Sequence, residues 1–149
     1  MPPTTLSAAL PRLRVFFREN WERDRRERGC IIATDGEIIP MVNVARTPEN
    51  RFQQSTVDFM RLCDLVLEKR LLCWAHSHPV WPAVPSQEDA ECHNMDCDMV
   101  IYSCVDDQFR KYTTRELDLY RELYKEKGLD YESMCYRVRG NRELVLPAA

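Results

Sequence analysis

Two of the chain's three histidines stand one residue apart in His76-Ser77-His78-Pro79, and six residues later comes Ser86-Gln87-Glu88-Asp89. On a strand, residues i and i+2 project to the same face, so both imidazoles can offer a nitrogen to one point. Asp89, at the start of a following helix, can close a third corner. Two neutral imidazoles and one carboxylate at about 2.0–2.2 Å suit Zn2+ and leave one tetrahedral position for water, which separates a catalytic zinc site from a structural one. A metal so held lowers the pKa of that water from about 15.7 toward about 7, and the chemistry then needs a base to take the proton. Ser86 and Asp89 also have capping-box spacing, a structural role compatible with ligation.

The elements that must position these residues can be read from periodicity. Leu10, Leu13, Phe16, Phe17 and Trp21 predict an amphipathic helix from Leu10 to about Arg25, with Pro11 in its first turn. Cys30 to Ala33 and Ile38 to Val44 read as strands joined through Asp35-Gly36, a hairpin signal, and Pro40 makes the second an edge or bulged strand. A polar loop containing Pro48 leads to a helix capped by Ser55 and running to about Lys69, with Phe59, Leu62, Leu65 and Val66 as its apolar face. Leu71 to Ser77 reads as a buried strand. Pro79, Pro82 and Pro85 then force an extended loop before the helix starting at Ser86. Met99 to Val105 and Phe109 to Tyr112 are strands about an Asp106-Asp107 turn. A last helix runs from Thr113 to Gly128, and weak strands are expected around Tyr136 to Val138 and Leu144 to Leu146. This order predicts an α/β (α+β) domain built on a mostly antiparallel central sheet flanked by helices.

Composition removes most other classes. With 149 residues, 44% hydrophobic, 30% charged and a net charge of -3, the chain has the makeup of one ordinary globular domain. The acidic balance gives no reason to expect nucleic acid. No apolar run approaches the ~20 residues of a membrane span, and the segment after Met1 lacks the apolar middle of a secretory signal. A cytoplasmic chain is expected. The seven cysteines are odd in number and scattered through apolar runs, which favours free, buried thiols over a disulfide framework. Cys92-His93 with Cys97 and Cys104 is too loosely spaced to predict a second metal site. Trp81 can either line a substrate groove or pack its loop down.

The chain resembles the JAMM (JAB or MPN) metalloprotease family, whose motif is an upstream Glu, then His-Ser/Thr-His-Pro, six residues, Ser, two residues and Asp. The spacing from His76 to Asp89 matches without a gap. The resemblance implies that His76, His78 and Asp89 bind zinc and that Ser86 hydrogen-bonds the tetrahedral intermediate. It implies that Glu27, in Glu27-Arg28-Gly29-Cys30, is the general base; Gly29-Cys30 reverses the family's Cys-Gly order. Over roughly the first 110 residues, Gly36-Glu37-Ile38-Ile39-Pro40, Asn43-Val44-Ala45 and Pro48-Glu49-Asn50 resemble the JAB domain of phage tail assembly proteins of the lambda K type. A single JAB/MPN-like domain over 1–149 is therefore expected, with a core of about 10–112 and an extension of about 113–149 that matches no known pattern.

The expected function is a zinc-dependent peptidase or isopeptidase, acting as a phage tail (tail tip) assembly protein. Two alternatives remain open: a structural tail protein that keeps the fold without catalysis, and a bacterial JAB protein processing ubiquitin-like or sulfur-carrier C termini. The corresponding partners are other phage tail proteins or a peptide or ubiquitin-like substrate. The corresponding locations are the host cytoplasm during assembly and the virion tail.

Overall fold

A computed structural model describes residues 4–19, 21–47, 51–93, 97–139 and 145–146. The chain runs α1 (Leu6–Arg18), α2 (Trp21–Asp24), β1 (Gly29–Ala33), β2 (Ile38–Met41), α3 (Thr56–Leu67), β3 (Leu71–His78), α4 (Gln87–Cys92), β4 (Asp98–Ser103), β5 (Gln108–Tyr112), α5 (Thr114–Lys127), α6 (Tyr131–Arg139) and β6 (Val145–Leu146). One sheet has the order β2-β1-β3-β4-β5-β6. Within it β3 and β4 are parallel; every other neighbouring pair is antiparallel, as expected from the sequence. The parallel pair follows from the crossover through the proline loop and α4, since two parallel strands cannot be joined by a tight turn.

Helices cover both faces. On one, Ala9, Leu10, Leu13 and Phe17 of α1 pack on Cys30, Ile32, Cys73, Ala75, Val100 and Tyr102. On the other, Leu62 and Leu65 of α3 pack on Ile31 and Met41, while Leu117, Tyr120, Tyr124 and Met134 of α5 and α6 pack on Met99, Ile101 and Tyr112. Alternation along β3 sends Cys73 and Ala75 to the α1 face and Trp74, His76 and His78 to the other.

The hairpin turns through Gly36 at φ +90°, a conformation Gly adopts without strain, and Pro40 lies on the edge strand β2. Several boundaries differ from the sequence expectation. The first helix begins at Leu6, because Thr5 caps it by accepting from Ala8 N; Pro11 is therefore interior, and the helix stops at Arg18. Strand β2 ends at Met41 instead of Val44. On α3, Leu62 and Leu65 are buried, but Phe59 and Val66 face solvent, because the helix buries Asp58 on its sheet side. Residues 136–138 belong to helix α6, not to a strand, because Tyr131, Met134 and Cys135 dock on α5 and β5 with helical spacing. Val145 and Leu146 do pair with β5, while Leu144 and the Pro48-Glu49-Asn50 segment lie, wholly or in part, outside the described residues. Cys30, Cys73 and Cys104 are free, buried thiols.

Candidate metal centre

The site lies where β3 ends, on the face covered by α3, α5 and α6. Gly29 pairs with His76, and the ladder continues past it: Arg28 N donates to Ser77 Oγ at 3.0 Å and Ser77 N to Arg28 O at 2.9 Å. This extension carries Glu27 to the His78 end of the strand, where Asn43 Nδ2 donates to its carbonyl at 2.9 Å. Gly29 is required by packing. A Cβ there would lie 2.2 Å from the Phe52 ring, which also runs nearly parallel to the His76 ring. The His76 ring lies against both Phe52 and Trp74, with ring centroids 6.4 and 5.1 Å away.

Single donor atoms of Glu27, His76 and His78, all buried, lie within 4.8 Å of one another and form a cluster able to hold a metal ion. Asp89 stands beside them: Oδ1 is 3.2 Å from His76 Nε2 and Oδ2 is 3.3 Å from His78 Nε2. Glu27 Oε1 is 3.7 Å from His78 Nε2. Donors bound tetrahedrally at about 2.0–2.2 Å stand roughly 3.3–3.6 Å apart, and each imidazole lies close to that distance from Asp89, through different oxygens of its carboxylate.

The two histidines differ in what else they touch. His78 Nδ1 lies 2.9 Å from Pro82 O, an acceptor only, so Nδ1 carries the proton and Nε2 presents its lone pair to the cluster. His76 is 0% exposed, and neither ring nitrogen has a hydrogen-bond partner among the described residues; the Asp89 oxygen at 3.2 Å is close enough but poorly aligned. A buried imidazole without partners is costly in a protein interior. A cation between His76, His78 and the carboxylates would engage one of its nitrogens, so the donor set fits a divalent metal ion.

The electrostatics set the two carboxylates apart. Burial raises the Glu27 carboxyl to about 7, against the pull of His78 and His76. Burial would raise Asp89 too, but the charges of His76 and His78, with the hydrogen bond to His78, outweigh it and hold Asp89 well below the usual range. His78 is lowered by burial and raised more strongly by Asp89, Glu27 and Pro82 O, ending above its ordinary value.

Asp89 is placed by the first turn of α4. Ser86 Oγ accepts from Asp89 N at 3.1 Å while Asp89 Oδ2 accepts from Ser86 N at 2.9 Å, the capping box expected from the spacing. Between His78 and Ser86 the proline loop has few backbone donors to build structure with, and side chains take up its carbonyls. Trp21 Nε1 donates to Pro79 O at 3.0 Å, Ser103 Oγ to Trp81 O at 2.8 Å, Tyr131 Oη to Val84 O at 2.7 Å and Tyr124 Oη to Pro85 O at 2.7 Å. Tyr112 Oη donates to Ala83 O. The sequence gives no sign of these tyrosine anchors: Tyr112 and Tyr124 read only as part of a strand and a helix, and Tyr131 falls in no expected element.

A cleft of about 660 Å3 opens over the cluster, lined by Glu27, His78, Ser86 and Asp89 and flanked by Phe52 and Trp81. Trp81 both lines the cleft and packs: its ring meets Tyr131 edge-on at 5.6 Å. Arg51 and Glu88 pair at 2.9 Å on the rim. Among the described residues no second metal site forms around His93, whose Nδ1 accepts from Trp74 Nε1 at 3.1 Å and whose Nε2 lies 2.8 Å from Cys97 O.

A family model described as prokaryotic homologs of the JAB domain (Prok-JAB) matches residues 11–120. Among solved structures, the solution structure of a structural-genomics target from Desulfitobacterium hafniense has a TM-score of 0.50 and 17% identity, covering 73% of this chain and 83% of that one. That likeness speaks to the fold. No curated protein matches the chain.

Proposed function

Because this chain belongs to the family of prokaryotic homologs of the JAB domain, we propose that it is a JAMM-type zinc peptidase or isopeptidase. In this reading His76, His78 and Asp89 hold the ion. Zinc, when bound, supplies a Lewis acid that polarises a carbonyl and acidifies water. The chain's own residues supply the rest. Glu27, with a carboxyl raised to about 7 by burial, is poised to take a proton near neutral pH and to pass it to a leaving amine. Asp89, held ionised, suits the ligand role. Ser86 Oγ already accepts from Asp89 N, so its hydroxyl proton is free to donate to a developing oxyanion at the cleft.

The observation that carries this reading is the buried His76, whose ring nitrogens are unpartnered in the midst of three potential ligands. Metal analysis of protein purified with zinc offered tests it. About one equivalent per chain supports it, and retention of that zinc by a His76→Ala, His78→Ala double variant would remove the site.

The biological setting proposed is phage tail assembly, supported by the resemblance of residues 36–50 to lambda K-type JAB domains. Partners would then be tail proteins or a peptide, encountered in the host cytoplasm or on the virion tail. A structural tail protein and a processor of ubiquitin-like or sulfur-carrier C termini are the competing readings. Infectivity of a Glu27→Gln phage separates the first from an enzyme. The neighbouring gene, encoding a tail protein or a β-grasp protein, separates the second.

A further inference from the structure

Helix α6 lies beyond the family-matched segment, yet it reaches the cluster. Tyr131, its first residue, puts its hydroxyl 3.0 Å from His78 Nδ1, 2.7 Å from Val84 O and 3.1 Å from Pro82 O. A phenol has one proton, and the shortest of the three contacts, to Val84 O, is where it goes; the oxygen's lone pairs then face the His78 Nδ1 proton. The Tyr131 ring also meets the His78 ring edge-on, with centroids 6.0 Å apart at 77°. His78 is thereby gripped from behind by an acceptor and by a ring, both from the same side chain.

We propose that Tyr131 is a positioning residue for His78: it shares the Nδ1 proton with Pro82 O, fixes the ring plane, and so keeps Nε2 aimed at the metal cluster. The C-terminal extension is then part of the site. The proposal concerns the same centre and rests, for its metal-binding consequence, on the zinc reading above. Outer partners of ligating histidines typically change metal affinity by about 10–100-fold. Tyr131→Phe belongs at the lower end, because Pro82 O still accepts from Nδ1.

The test uses the full chain, with Tyr131→Phe compared with Tyr124→Phe. Tyr124 anchors the same loop through Pro85 O and has no hydrogen bond to His78 among the described contacts, so its variant reports loop anchoring alone. Two readouts are taken: exchange of the His78 ring N–H proton by NMR in metal-free protein, and zinc affinity by chelator competition. Tyr131→Phe should keep its circular dichroism, exchange the His78 ring proton faster, and bind zinc about tenfold more weakly. Tyr124→Phe should melt at lower temperature with both readouts unchanged. Wild-type behaviour of Tyr131→Phe in both readouts, or equal losses in the two variants, would overturn the proposal. If the wild type binds no zinc, the zinc reading fails, and the ring-proton measurement decides Tyr131 by itself.

Discussion

Two polar clusters lie on opposite faces of this sheet, and they are completed in different ways. On the α1 face, Arg14 donates to both oxygens of Asp107 at 2.8 and 2.9 Å, and Tyr102 donates to the same carboxylate. Arg18 donates to Tyr102 Oη and Cys104 O, each at 3.1 Å. Donors meet acceptors there and positive charge meets negative. On the other face, Glu27, Asp89 and two imidazoles converge, a set dominated by acceptors when the histidines are neutral, and His76 has no hydrogen bond among the described residues. The first cluster is closed by protein alone. The second brings single donor atoms of Glu27, His76 and His78 within 4.8 Å of one another, a grouping that a cation can complete.

The comparison breaks most directly at the histidines. His76→Ala with His78→Ala should abolish zinc uptake, from about one equivalent to less than about a tenth, while leaving the Arg14–Asp107 cluster and the fold intact. Elemental analysis beside circular dichroism checks both halves. Next in size is Glu27→Gln, which should retain zinc and lose activity by about 10²–10⁴-fold on any cleaved peptide. A turnover rate equal to wild type would remove Glu27 from the mechanism.

Acid and base should move the two clusters in opposite directions. Glu27 has a folded pKa of about 7, above its unfolded value, so metal-free protein loses this part of its stability as pH rises from about 4.5 to 7. Glu27→Gln should therefore stabilise the metal-free chain at pH 8 by roughly 1–3 kcal/mol, measured by denaturant titration. Asp107 is held below its ordinary value first by its hydrogen bond with Arg14, so its contribution is present above about pH 4 and lost in stronger acid. Being only half-buried, it should give the smallest effect. Asp107→Asn should lower the melting temperature by a few degrees at most and leave zinc content unchanged.

The parts of the site that lie close together along the chain are legible in the sequence. His76 and His78 face one way because a strand has a period of two, and Ser86 with Asp89 forms the capping box that its spacing requires. Glu27 can be placed only through the resemblance, since the pairing of Arg28 with Ser77 spans 49 residues and leaves no local pattern. Tyr131 is hidden for the same reason, reaching His78 across 53 residues. The fold shows the same division. Thr5 sets the start of α1 earlier than the apolar spacing does, and Phe59 and Val66 are exposed, because burial is decided by what packs against a helix and not by its own stripe alone. The strand expected at 136–138 is helix because docking on α5 overrides a weak local preference.

The anchored loop between His78 and Ser86 acts as a gauge block. Its carbonyls are engaged from α2, β4, β5, α5 and α6, so its contour is set from outside and cannot slide. One residue added or removed would shift the chain by up to about 3.3–3.6 Å, as far as the donors of a zinc shell stand from each other. Side chains in this loop can therefore vary while its length cannot, and a one-residue insertion should be more damaging than many of the substitutions it could accept.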